Sequence, residues 1–133
     1  MRITRQCNRA EVREIFAAPC DKAGMWVGYT EDRRLGMVSY DVFGYTVGRP
    51  LRKLFAVEEH CVDSKGGRDC ANRVCLHAVG KYLARYGFKL GAPIGEFGVG
   101  GGNYEVERMR GSGHSSPVRI VGRSYGNGDA YYA

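Results

Sequence analysis

The sequence predicts an α/β or α+β fold, and three observations carry that prediction. Residues 51–63 contain a run of β-favouring side chains, and residues 69–86 follow with apolar side chains every three or four positions. Two further β-rich segments are joined by a polar connection short enough for a hairpin. The 133 residues leave room for one proper core, so we predict one domain over residues 1–133.

Local signals predict each element in turn. Residues 1–5 alternate and predict a short first strand. Asn8 and Glu11 form a capping-box pattern, which begins a helix that must end before Pro19. Residues 25–30 and 35–47 predict the two strands of the hairpin, and Gly44 indicates a bulge or a close backbone approach in the second strand.

The long helix is predicted to begin with Asp69 as its N-cap. One continuous apolar stripe runs along this helix, and Arg73, His77, Lys81 and Arg85 lie off it, as a solvated face would. The elements after the helix are a weaker strand over 88–94, a glycine-dense loop over 95–102, a short helix over 104–110 capped by Asn103, and strands over 118–121 and 125–133.

The composition indicates a soluble basic protein. The net charge is +6 and the pI is about 9.2. A nucleic acid or an acidic protein is therefore one predicted partner, and an ordinary solvated basic surface is the alternative. No apolar run is long enough to span a bilayer and the start of the chain is charged, so we expect a cytoplasmic location. Five cysteines without a C-x-x-C pair predict reduced thiols, and no metal site is predicted.

The junction between the central strand and the long helix is the predicted functional centre. A buried strand, a glycine-bearing loop and a helix N-terminus direct backbone N–H groups and the positive end of the helix dipole at one point. Such a point suits an anion, for example a phosphate group.

The order of elements resembles the GNAT superfamily of acetyl-CoA-dependent N-acyltransferases, over most of the chain and mainly as a pattern. The signature of that family, Arg/Gln-x-x-Gly-x-Gly/Ala, has its best frame at Arg68, with Ala71 and Arg73 standing where the family has glycines. The resemblance implies a mixed central sheet of about six to seven strands, flanked by three to four helices.

The resemblance also implies which residues would act. Glu58 or His60 would be the general base, with Glu59 slightly less favoured. Tyr104 or Tyr125 would stand in for a family tyrosine whose position is occupied by Arg110 here. The backbone of residues 61–62 and 67–73 would hold acetyl-CoA, and Asn103, which follows the predicted fifth strand, would complete the site. These cofactor-binding candidates are Cys61, Val62, Gly67, Arg68, Asp69, Cys70, Ala71, Asn72, Arg73 and Asn103.

Three functions compete. The first is an N-acyltransferase that moves an acetyl-type group to an amine of a protein, a small molecule or a nucleobase. The second is a non-catalytic protein on the same scaffold, similar to some bacteriophage virion proteins, which binds a protein or nucleic acid and lies in the virion. The third is a thiol hydrolase with Cys61 or Cys70 as nucleophile and His77 or His114 as base. A homo-oligomer is compatible with the first two.

Overall fold

The computed structural model describes residues 1–61, 67–98, 101–109 and 119–120. Strands predominate, and the longest helix follows the fourth strand. The elements in chain order are β1 (Arg2–Arg5), α1 (Arg9–Ala17), a 3₁₀ turn (Cys20–Lys22), β2 (Ala23–Asp32), β3 (Met37–Thr46), β4 (Arg52–His60), α2 (Gly67–Ala84), β5 (Phe88–Gly98), β6 (Gly101–Arg108) and β7 (Arg119–Ile120).

The strands form one sheet in the order β1-β4-β3-β2-β6-β5, with the two-residue β7 paired to β6. Every described pairing is antiparallel. Helix α2 leaves β4 and leads to β5 at the far edge, packing on β3, β4 and β5. The α+β class and the predicted number of strands are confirmed. The sheet is antiparallel rather than mixed, and two α-helices occur in the described residues, against the three to four expected.

The two faces of the sheet differ in what they carry. One face, which we call the helix face, packs against α1 and α2 and holds the apolar core. The other, which we call the second face, carries Trp26 stacked on Phe43 and the buried polar residues Asp41, Asn103 and Glu105. The core of the helix face includes Val27, Val38, Val42, Leu54, Phe55, Val57, Cys75, Val79, Leu83, Phe88 and Val106.

Helix α1 begins and ends where its local signals place it. The Asn8 side chain accepts a hydrogen bond from the Glu11 amide at 2.8 Å, and Glu11 accepts one from the Asn8 amide at 3.3 Å, so the predicted capping box is confirmed. Gly44 marks the close approach that its position indicates. A Cβ there would lie 3.1 Å from Ile15 and 3.2 Å from Leu54, which are side chains of α1 and β4.

Three local predictions are wrong. Helix α2 begins at Gly67, whose φ is +66°, so Asp69 lies in the first turn and is not the N-cap. The predicted loop over 95–102 contains the end of β5 and the start of β6. The segment predicted as a helix over 104–110, with Asn103 as its cap, contains strand β6. In this strand Tyr104 and Val106 face the core, while Asn103 and Glu105 face the opposite side.

The error at β6 has a physical cause. Gly101 and Gly102 have low intrinsic strand propensity, but β6 hydrogen-bonds to β2 on one side and to β5 on the other. Two ladders outweigh a local preference of at most about 1 kcal/mol. Within the predicted strand over 118–121, the described residues 119–120 form β7, while the predicted strand over 125–133 lies outside the described residues.

Asp41 on the second face makes stability depend on pH. Its side chain is nearly buried, Lys53 Nζ lies 3.4 Å from its Oδ2, and the Ser39 hydroxyl donates to its Oδ1 at 3.4 Å. Burial outweighs the opposing effects of Lys53 and Ser39 and raises the pKa of Asp41. Because the folded-state pKa is the higher one, the folded protein keeps a proton that the unfolded chain has already lost, and stability falls as pH rises through that range.

We therefore expect Asp41→Asn to improve the urea midpoint, relative to the parent protein, more at pH 7 than below the ordinary aspartate pKa of about 3.9. Asparagine keeps the shape of the side chain and removes the buried charge. The exposed Asp21→Asn is the matched control. A midpoint difference for Asp41→Asn that stays constant from acid to neutral pH would contradict the prediction.

Candidate functional site

The predicted anion corner at the start of α2 is occupied by an ion pair. Arg68 Nη1 donates to Glu31 Oε1 at 3.1 Å, and the Tyr29 hydroxyl donates to Glu31 Oε2 at 3.0 Å. Burial pushes the pKa of Glu31 upwards, but hydrogen bonds from Arg68 and Tyr29 and the charges of Arg68 and Arg33 outweigh it and lower the pKa. Glu31 is therefore an anion at neutral pH, already in contact with the arginine of the family signature.

Two further parts of the expected cofactor site do not favour a bound diphosphate: the Cys61 amide is already hydrogen-bonded, and the cavity carries carboxylates as well as guanidinium groups. The Cys61 amide donates to the Gly36 carbonyl at 2.7 Å, so it is not available to pair with a pantetheine arm. The surrounding cavity of about 440 Å³ is lined by Glu31 and Asp69 as well as by Arg33 and Arg68. Two carboxylates beside two guanidinium groups balance the charge, and the described part of this corner fits a diphosphate poorly. Val62 lies outside the described residues.

The three candidate catalytic residues do not come together. Glu58 lies on the second face with Ala56, and His60 shares that face by alternation, whereas Tyr104 packs on the helix face. Regular alternation along β4 would place Leu54 on the face of Glu58 as well. A register shift in the β3–β4 pairing leaves Leu54 as an extra residue on β4, and it is buried in the core instead.

The remaining candidates serve different parts of the fold. Ala71 is fully buried under α2, and Asn103 is buried on the second face. Asn72 accepts a hydrogen bond from the Tyr40 hydroxyl at 3.0 Å. Arg73 is exposed on another side of α2. Gly67, Asp69 and Cys70 form the first turn of the helix with Arg68.

Two buried tyrosines, Tyr29 and Tyr40, and the half-buried Tyr104 form a cluster near the start of α2 that the sequence did not reveal. The rings of Tyr40 and Tyr104 lie 6.2 Å apart, and those of Tyr29 and Tyr40 lie 5.0 Å apart. Burial, followed by the hydrogen bond to Glu31, raises the pKa of Tyr29 to about 12, and burial also raises the pKa of Tyr40. Both hydroxyls are protonated at neutral pH. Tyr40 donates to Asn72 of α2, and Tyr29 donates to Glu31 of β2, which in turn accepts from Arg68 of α2.

The thiols show no sign of an activated nucleophile in the described residues. Cys75 is fully buried, and burial raises its pKa to about 12, as suits a small core residue. Cys61 and Cys70 are half-buried, and His77 lies exposed on α2, while His114 is outside the described residues. The described side chains include no group of three or more His, Cys, Asp or Glu placed to hold a metal ion.

A different site lies between the edge strand β1 and helix α2. A groove of about 480 Å³ opens there, within the range of roughly 300–1,000 Å³ typical of ligand clefts. Its apolar lining consists of Met1, Ile3, Phe55, Val74, Ala78 and Tyr82. Its polar lining consists of Arg5, Arg73, His77, Lys81 and Arg85, and no acidic side chain is among the described residues that line it. We call this feature the β1–α2 groove.

The groove exists because the apolar stripe on α2 is wider than the part of the helix that the sheet covers. Residues such as Cys75, Val79 and Leu83 are fully buried against the sheet, but Val74 and Ala78 are half-buried. Strand β1 has four residues and ends the described strand order, so no described strand lies beyond it to cover this flank of the helix. Ile3, on β1, consequently remains 40% exposed.

The cationic side chains of the groove have no carboxylate partners among the described residues. Arg5, Arg73, Lys81 and Arg85 form no described ion pair, although the guanidinium of Arg5 lies over the Phe55 ring at 5.7 Å from its centroid. Elsewhere on the protein, Arg52 is paired with Glu11, and Arg49 with Glu14. An excess of positive charge is therefore concentrated along the groove, where it attracts anions.

The sequence contains a signal for this site, although the pattern by itself predicts only a solvated face. Arg73, His77, Lys81 and Arg85 recur at intervals of four, which aligns them in one row on a helix. In the structure, Ile3 and Arg5 of β1 line the same groove as this row, so the row is one wall of a site. Tyr82 completes the lining; its hydroxyl is buried and has no hydrogen-bond partner among the described residues.

Comparison of the chain with family models, with curated proteins and with solved structures gives no match in any of the three. Among the described helices, none is long and apolar enough to cross a membrane. The function must therefore be argued from the site itself.

Proposed function

We propose that this protein is a non-catalytic binding domain whose β1–α2 groove receives an acidic segment of another protein. The observation that carries the proposal is the combination, in one groove, of an apolar floor with four cationic side chains that lack described partners. Apolar contact supplies affinity, while the charges select an anionic partner and accelerate its association.

An acidic protein accounts for the groove better than a single-stranded nucleic acid. Bases bind single-strand proteins by stacking on exposed aromatic faces. The aromatic rings of this groove, Phe55 and Tyr82, are 2% and 6% exposed and stack on each other with centroids 4.4 Å apart. The exposed apolar surface is aliphatic, at Met1 and Ile3, and suits aliphatic side chains. A second copy of the chain is disfavoured because like charges would meet.

The acyltransferase hypothesis has weaker support. Arg68 is paired with Glu31, the Cys61 amide is paired with Gly36, and the candidate base and acid lie on opposite faces of the sheet. Acetyl-CoA binding stays a prediction of the family resemblance, and isothermal titration with acetyl-CoA tests it directly. We expect no heat of binding.

The proposal is tested by reversing charge in the groove. Arg73→Glu with Lys81→Glu should weaken binding of fluorescein-labelled polyglutamate by at least about tenfold, which corresponds to 1.4 kcal/mol, since two attractions become repulsions. Fluorescence anisotropy at low and moderate salt measures the affinity.

The matched control is Arg13→Glu with Arg34→Glu, which changes the net charge equally at exposed positions that do not line the groove. We expect the control to weaken binding less than about threefold, because distant surface charges are screened by salt. Equal losses in the two double variants would show attraction to net charge alone. Groove-dependent binding of oligothymidine, without binding of polyglutamate, would assign the groove to nucleic acid.

A further inference from the structure

The outer side of β1, which borders the groove, has no partner strand among the described residues. Strand β1 pairs with β4 on one side, and the described strand order ends with β1 on the other side. An edge strand presents backbone N–H and C=O groups to which another extended chain can pair. Strand addition of this kind is a recurrent mode of peptide recognition.

The row of cationic residues matches the repeat of an extended chain. Arg73, His77, Lys81 and Arg85 are each four residues apart on α2, which separates them by about 6 Å along the helix axis. Every second residue of a β-strand faces the same side, at intervals of roughly 6.6 Å. A strand laid beside β1 would therefore present its helix-side residues at nearly the same interval as this row.

Two cations lie near Tyr82 where it lines the groove. Burial is the largest of the effects that raise the pKa of Tyr82, while Arg5 and Arg85 act to lower it. Both arginines also line the groove. A carboxylate of an incoming chain is the partner that these two cations lack among the described residues.

We propose that the partner segment binds as an added β-strand along the outer edge of β1, with acidic and aliphatic residues alternating among the side chains that face α2. This inference rests on the proposed function and specifies the geometry of binding. An amphipathic acidic helix in the same groove would satisfy the charges but would leave the edge of β1 without backbone contacts.

Backbone methylation of a peptide distinguishes the two geometries. The probe is a fluorescein-labelled peptide with the repeat Thr-Leu-Thr-Glu, in which all leucine and glutamate side chains share one face of a strand. Two derivatives are N-methylated, one at every threonine and the other at every leucine and glutamate. In an added strand, the amides of one set point to β1 and those of the other set point away.

We expect one methylated peptide to bind like its parent and the other to bind at least tenfold more weakly. Equal affinities for the two methylated peptides, whether high or low, overturn strand addition. If the parent peptide binds and the two methylated peptides have equal affinities, the groove still recognises an acidic protein, and only the proposed strand geometry is wrong. If neither the parent peptide nor polyglutamate binds, the proposed function itself fails.

Discussion

Phe16→Ala is expected to lower the free energy of unfolding by about 3–5 kcal/mol, the usual cost of truncating a buried phenylalanine. The Phe16 ring is 4% exposed and connects α1 to the rest of the core. It stacks on Tyr86 with centroids 4.5 Å apart, lies 4.8 Å from the centroid of Phe88, and meets Tyr82 edge-on at 6.3 Å. Its removal opens a cavity between α1 and these three rings.

Urea denaturation followed by circular dichroism measures this loss. A loss of that size is a large fraction of the roughly 5–15 kcal/mol that stabilises an ordinary domain. Phe16→Leu refills part of the cavity and should cost less. Leu35→Ala, at a position that is 53% exposed, is the control and should stay within about 0.5 kcal/mol of the parent. A loss from Phe16→Ala as small as that of Leu35→Ala would mean that α1 does not pack on this core.

Gly44→Val is expected to cost about 1–3 kcal/mol by overpacking. The Cβ alone would lie 3.1 Å from Ile15 Cγ2 and 3.2 Å from Leu54 Cδ1. Ile15 is 5% exposed and Leu54 is fully buried, so neither side chain can move into solvent to relieve the contact. We expect α1 to be displaced from β3, with a lower urea midpoint as the measured result.

Gly80→Ala is the matched glycine substitution with the opposite expected sign. Gly80 lies within α2, and a Cβ there would meet no atom within 4 Å. Alanine should therefore stabilise the protein by about 0.5–1 kcal/mol, because it restricts the unfolded chain and favours the helix. If Gly44→Val leaves the urea midpoint unchanged while Gly80→Ala raises it, the close contact of β3 with α1 is not as described.

Helix α2 contributes both to the hydrophobic core and to the β1–α2 groove. Its buried stripe supports the fold, and its half-buried flank with Val74 and Ala78 lines the proposed binding site. Variants of Arg73 and Lys81 should therefore change binding with little effect on stability, because exposed charges without described partners contribute little to folding. Phe16→Ala should chiefly lower stability, because its ring lies in the core and is 4% exposed.

The sequence by itself determined the elements whose signals are local. The capping box of Asn8 and Glu11 places the start of α1, and β-favouring side chains on either side of a short polar connection place the hairpin of β2 and β3. The periodicity of three and four residues places α2 to within a few positions of its ends. These signals are reliable because each depends on contacts between residues that are close in the chain.

The tertiary structure alone decided the identity of β6, the order of the strands and the position of the groove. Strand β6 exists because β2 and β5 supply hydrogen bonds on both sides, which no local pattern around Asn103 can reveal. Arg73 lines a groove, rather than a plain solvated face, because β1 lies at the edge and leaves one flank of α2 uncovered. Both outcomes depend on which distant segments pair, and the free energy of such pairing belongs to the whole sheet rather than to any one segment.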